Sequence, residues 1–88
     1  MKMIIAIIGD HDNESVSQGL IQADFRVTRI ASTGAFLRRG SSTLMIGVEV
    51  NKVDDAIQII RDRTTSTGET GVKRATLFVL NIEHFSQI

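Results

Sequence analysis

Three short stretches hold side chains able to do chemistry. The first is Ser32-Thr33-Gly34-Ala35-Phe36-Leu37-Arg38-Arg39-Gly40-Ser41-Ser42. Loops run over the surface in contact with water, so a Phe-Leu pair inside a Gly/Ser-rich loop needs an apolar partner. A planar heteroaromatic base stacked on Phe36 would be one such partner. A neighbouring subunit into which Phe36 and Leu37 plug would be another. Arg38, Arg39 and the nearby Arg26 can offset phosphate charge. Gly34 and Gly40 allow the backbone to approach a ligand closely. These residues by themselves support a ligand site and a subunit plug equally.

The second stretch is Arg26 and Thr28, two residues apart and so on one face of a strand. Together they read as a clamp for phosphate and base, or as an ordinary polar strand face. The third is Asp10-His11-Asp12. A His flanked by carboxylates can bind a divalent metal or move protons. Three consecutive loop residues do not converge on one centre without a special turn, so helix capping and solvation is the plainer reading. The other histidine, His84, is at the far end of the chain. No spacing suggests a Ser-His-Asp or Cys-His nucleophile.

The elements that must carry these groups follow from periodicity. Residues 3–8 are apolar and Ile-rich, as in a strand covered on both faces. Asp12 or Asn13 can cap a helix over about 13–24, with Val16, Leu20 and Ala23 at helical spacing. Residues 25–31 form a second strand, with Arg26, Thr28 and Ile30 on one face and Phe25, Val27 and Arg29 on the other. Residues 32–42 are a loop and 43–50 a third strand. Asn51 is a good N-cap, with Asp54 completing a capping-box-like pattern, for a helix reaching Arg63. Residues 64–71 form a second loop and 73–82 a fourth strand. The order β-α-β-β-α-β predicts an α+β, ferredoxin-like sandwich with two helices on one face of a four-stranded antiparallel sheet. Strands one, three and four are apolar on both faces, which implies cover of the second face by another subunit.

Composition narrows the function classes. The chain has 88 residues, the size of one domain spanning 1–88. Ten basic and ten acidic residues cancel, so nothing draws the whole molecule to a nucleic-acid polymer or an anionic membrane. There is no cysteine, hence no disulfide and no thiolate metal site. The opening Met-Lys-Met-Ile-Ile-Ala-Ile-Ile is short, lacks a small-residue cleavage site and runs into acidic residues, unlike a signal peptide. No stretch reaches the roughly 20 apolar residues of a membrane span. A soluble, cytoplasmic protein is expected. RNA-recognition motifs share the predicted topology but need aromatics on strands one and three, where this chain has none. Acylphosphatase-like enzymes need an Arg-bearing loop after strand one; here that loop is Gly9-Asp10-His11-Asp12-Asn13.

Phe25-Arg26-Val27-Thr28-Arg29-Ile30-Ala31-Ser32-Thr33-Gly34, followed by Phe36-Leu37-Arg38, resembles the PII-like cyclic-di-AMP receptors. The similarity continues through Thr43-Leu44-Met45-Ile46-Gly47-Val48-Glu49. It includes Met1-Lys2-Met3-Ile4-Ile5-Ala6-Ile7 at the start and Ala75-Thr76-Leu77-Phe78-Val79-Leu80 near the end. The resemblance implies a PII-like homotrimer, cyclic di-AMP in clefts between subunits, and a sensor without catalytic activity, cofactor or bound metal. It also implies a downstream protein partner in bacterial second-messenger signalling. By position, Arg26 and Thr28 would contact phosphate or adenine, Phe36 would stack on a base with Leu37 beside it, and Gly47 would leave room for the ligand. Ala35, Ser41 and Gln87 would complete the site, with Phe78 a weaker candidate. Asp24 and Ser41 stand where the family usually has Asn, and Ala35 where it has Gly. The loop after the second helix is shorter than the family's. A carboxylate at Asp24 would disfavour a dianionic ligand.

Overall fold

Alternation along the strands builds the sheet. The computed structural model describes residues 1–30, 40–65, 74–84, 86 and 88. In β1 (Lys2–Gly9), Ile4, Ala6 and Ile8 are buried while Met3, Ile5 and Ile7 are half-buried on the opposite face. β3 (Ser41–Val48) repeats this, with Leu44, Ile46 and Val48 buried. The short β2 (Arg26–Ile30) pairs with β3, and β4 (Ala75–Asn81) with β1. The strand order is β2-β3-β1-β4, every neighbouring pair antiparallel. With one helix after β1 and one after β3, this is the predicted ferredoxin-like βαββαβ arrangement.

α1 (Asn13–Gln22) and α2 (Val53–Arg63) cover one sheet face. Val16 and Leu20 of α1 and Ala56 and Ile60 of α2 meet Ile4, Ile8, Leu44 and Ile46 in a single core. Each fully buried Leu or Ile side chain contributes about 1.5–3 kcal/mol. The helices pack closely at Gly19. A Cβ there would lie 2.7 Å from Arg63 Nε and 3.0 Å from Ile59 Cγ2. The Arg63 guanidinium crosses to α1, where Nη1 donates to the Ser15 carbonyl at 3.3 Å.

Several boundaries differ from the sequence expectation. α1 stops at Gln22, two residues early. Asp24 adopts φ +67°, Phe25 N–H donates to Leu20 O at 2.9 Å, and Asp24 N–H to Ile21 O at 3.0 Å. That is a Schellman ending with aspartate in the left-handed position usually held by Gly or Asn. β3 begins at Ser41, so Ser41 and Ser42 belong to the sheet rather than to the loop. Asn51 does not cap α2. It lies inside a 3-10 turn (Val50–Lys52) that runs directly into the helix, leaving Lys52 at the boundary with no side-chain cap bond. Asp54 and Asp55 still favour the positive end of the α2 dipole. Asp12 occupies the boundary before α1 but makes no cap bond either, because its carboxylate is engaged elsewhere.

Candidate functional site

The strand registers place the predicted groups on the sheet face away from the helices. Three rows cross it from β2 to β4. Arg26, Gly47, Met3 and Leu80 form one; Thr28, Met45, Ile5 and Phe78 the next; Ile30, Thr43, Ile7 and Thr76 the third. Apart from Thr43, the interior of this grid is apolar. Within one chain Phe78 remains 49% exposed, Leu80 46% and Ile30 44%. The one cation of these rows is at the β2 edge, where Arg26 and Thr28 sit beside Gly47 and Met45.

Gly47 has no internal reason to be glycine. An added Cβ would meet only the Met1 Cε, at 3.9 Å, which is ordinary contact. Arg26 and Gly47 share a cleft of about 510 Å³ with Asp24, Glu49, Lys52 and Asp55. That volume lies in the range of small-molecule sites. Three carboxylates there face two cations, and Lys52 Nζ lies 3.9 Å from Asp55 Oδ2. Glu49, Lys52 and Asp55 were not singled out from sequence. Glu49 follows Gly47 by two positions and so shares its side of the chain, a signal that was available; Lys52 and Asp55 arrive through the 3-10 turn, which was not predicted.

The remaining predicted residues divide. Ser41 is buried at the opposite end of β3 from Gly47, about 20 Å away along the strand. Ala35, Phe36, Leu37 and Gln87 lie outside the described residues. So do Arg38 and Arg39 of the same loop.

The Asp10-His11-Asp12 triplet, a 3-10 turn, does not converge on one centre. Asp10 accepts from the Ser42 hydroxyl, whereas His11 and Asp12 both engage Thr65. Among the described residues no group of three or more His, Cys, Asp or Glu side chains is placed to hold a metal. The Thr65 hydroxyl donates to Asp12 Oδ1 at 3.0 Å, so its proton is directed to the carboxylate and not to the imidazole. The plainer sequence reading of this triplet, capping and solvation, is corrected at Asp12, which is only 3% exposed.

Against this geometry, the sequence matches the family described as "Cyclic-di-AMP receptor" over residues 1–70. The chain belongs to the cyclic-di-AMP receptor family. The matched region contains β1 to α2 and every predicted ligand residue except Gln87 and the weaker candidate Phe78. The chain is also similar to a crystal structure of a protein from Pediococcus pentosaceus ATCC 25745, described as functionally unknown. That similarity has a TM-score of 0.81 at 32% identity, covering 99% of this chain and 96% of the other. In this family member, no helix among the described residues is long and apolar enough to cross a membrane.

Proposed function

We propose that this protein is a non-catalytic bacterial sensor of cyclic di-AMP. It assembles as a homotrimer through the open sheet face, and the nucleotide lies in clefts between neighbouring subunits. The observation that carries this reading is the placement of Arg26, Thr28 and Gly47 together at the polar edge of an exposed apolar sheet face. The Arg26 guanidinium offers a planar fork of donors for a phosphate. The Thr28 hydroxyl donates to phosphate or adenine. Gly47 gives room where the chain's own packing does not require room. Phe36 stacks on a base with Leu37 beside it, and Ala35, Ser41 and Gln87 complete the site. Ser41 and Gly47 sit at opposite ends of β3, so a site composed from two copies can draw on both ends where a site within one copy cannot. Burial of the apolar grid against other subunits removes Phe78 and Leu80 from water. The fold acts in the cytoplasm as a single domain, and its loops present the bound state to a downstream protein.

Isothermal calorimetry with cyclic di-AMP, paired with light scattering, tests the proposal. The expected result is saturable binding by a particle of three subunit masses. Absence of heat at high micromolar ligand overturns the ligand, and a one-subunit mass overturns the interface.

One observation favours a second reading. The cleft holding Arg26 is lined by Asp24, Glu49 and Asp55, an acidic surround that opposes a dianion. On that reading the same trimer no longer binds cyclic di-AMP and senses a different anionic ligand of lower charge, or a protein. It predicts a three-subunit mass with no cyclic-di-AMP heat.

A further inference from the structure

The turn after β1 contributes no side chain to the apolar core, yet each of its three side chains has a hydrogen-bond partner. Asp12 is buried; both of its carboxylate oxygens accept from Thr65, and Oδ2 also lies 3.4 Å from His11 Nε2. Oδ2 accepts the Thr65 N–H at 3.1 Å and Oδ1 accepts the Thr65 hydroxyl at 3.0 Å. Since the single hydroxyl proton goes to Asp12, the 2.9 Å contact between His11 Nε2 and Thr65 Oγ1 is an imidazole N–H donating to the hydroxyl oxygen. The ring folds back over the end of β1 in the space left by Gly9, where a Cβ would be 2.6 Å from His11 Cε1. On its other side the turn holds the start of β3. Asp10 N–H donates to the Gly40 carbonyl at 2.8 Å, and the buried Ser42 hydroxyl donates to the Asp10 carboxylate.

Thr65 is where the chain leaves α2 towards β4, and Gly40 to Ser42 is where it enters β3 from β2. We propose that Asp10 and Asp12 are positioning residues that fasten both of these connections to one rigid turn, so that a shift at either connection is transmitted to the other. The physical link is short. Asp10 and Asp12 are two residues apart in one 3-10 turn, and each carries charge-assisted bonds to a different connection. Ser41, a predicted ligand residue, lies between Gly40 and Ser42, both held by Asp10. Only the ligand arm of the test below rests on the proposed function.

Amide hydrogen exchange on the full chain decides the matter. Asp12→Asn keeps the shape but replaces one acceptor by an amide that cannot accept. The expected result is exchange about tenfold faster at Thr65 and also at Gly40 to Ser42, with β1 unchanged. Thr65→Val repeats the effect and Thr65→Ser restores wild-type exchange. The reciprocal variant, Ser42→Ala, is expected to speed exchange at Thr65. Faster exchange confined to the mutated side in both directions overturns the coupling. In the ligand arm, Asp12→Asn weakens cyclic-di-AMP binding about fivefold or more without touching a predicted ligand residue. An unaltered affinity overturns the positioning role. If the wild-type protein binds no cyclic di-AMP, the proposed function falls while the exchange arm still decides the coupling.

Discussion

On the proposed function, substitutions at Gly47 and Asp24 are expected to separate folding from binding. An alanine at position 47 meets nothing closer than 3.9 Å in the chain. Alanine is also favoured over glycine in a strand by about 0.5–1 kcal/mol. Gly47→Ala is therefore expected to keep or slightly raise the melting temperature. The same methyl intrudes on a ligand seated beside Arg26, and calorimetry should show cyclic-di-AMP affinity weakened by about 1–3 kcal/mol. At Asp24 the sign reverses. Asparagine tolerates φ +67° as aspartate does but carries no charge. Asp24→Asn is expected to preserve the end of α1 and tighten binding by about 1 kcal/mol, roughly fivefold. The gain should shrink as salt is added, because screening weakens the repulsion that the wild type suffers. The chemical types at these positions were legible in the sequence. The partner of Asp12 was not: Thr65 lies 53 residues away, and no local pattern distinguishes a carboxylate that caps its own helix from one that reaches another element.

At the scale of elements, the strands were the readable part because alternation is a period-two signal that one face of a sheet enforces. The faces assigned to β2 agree with its register against β3. Helix ends were less readable. α1 ends at a residue with no glycine to mark it, and a 3-10 turn took Asn51 out of the capping position. Glycine also carried an unread message at position 19, where it sets the separation of α1 and α2. Gly19→Ala would gain helix propensity against a crowded Arg63 side chain, two opposing effects. Gly19→Val has no such compensation. It is expected to destabilise the fold by about 1–3 kcal/mol in urea unfolding, by pushing Ile59 and Arg63 off α1. β4 is the other element with a distinct character. Val79 points to the helix side, opposite Ile4, yet is 43% exposed, whereas Ala75 and Leu77 on the same side of β4 pack against the core.

For the whole molecule, the decisive feature is a sheet with one face built for a core and the other nearly as apolar. Ile5 and Phe78 pair at the middle of the open face. Phe78→Asp places a charge where the proposed subunit contact is driest, and burying an unpaired charge costs far more than the contact returns. Light scattering of this variant is expected to give a one-subunit mass with the circular-dichroism spectrum of a folded chain. Retention of the three-subunit mass would show that assembly uses another surface. The open face was anticipated from apolar residues on both sides of three strands. What covers it was not legible, since alternation reports only that a face avoids water.

On the proposed assembly, the same open face would tie sensing to copy number. Association through it would make the folded state a matter of mass action, so the melting temperature is expected to rise as protein is concentrated and to fall on dilution. A cleft made from two copies does not exist in a lone chain. Below the assembly threshold a cell would hold the polypeptide but no receptor, whatever the messenger level. Response would then require two quantities at once, the nucleotide and enough of the chain itself. A modest change in synthesis or turnover near that threshold would switch responsiveness on or off without altering any residue of the cleft.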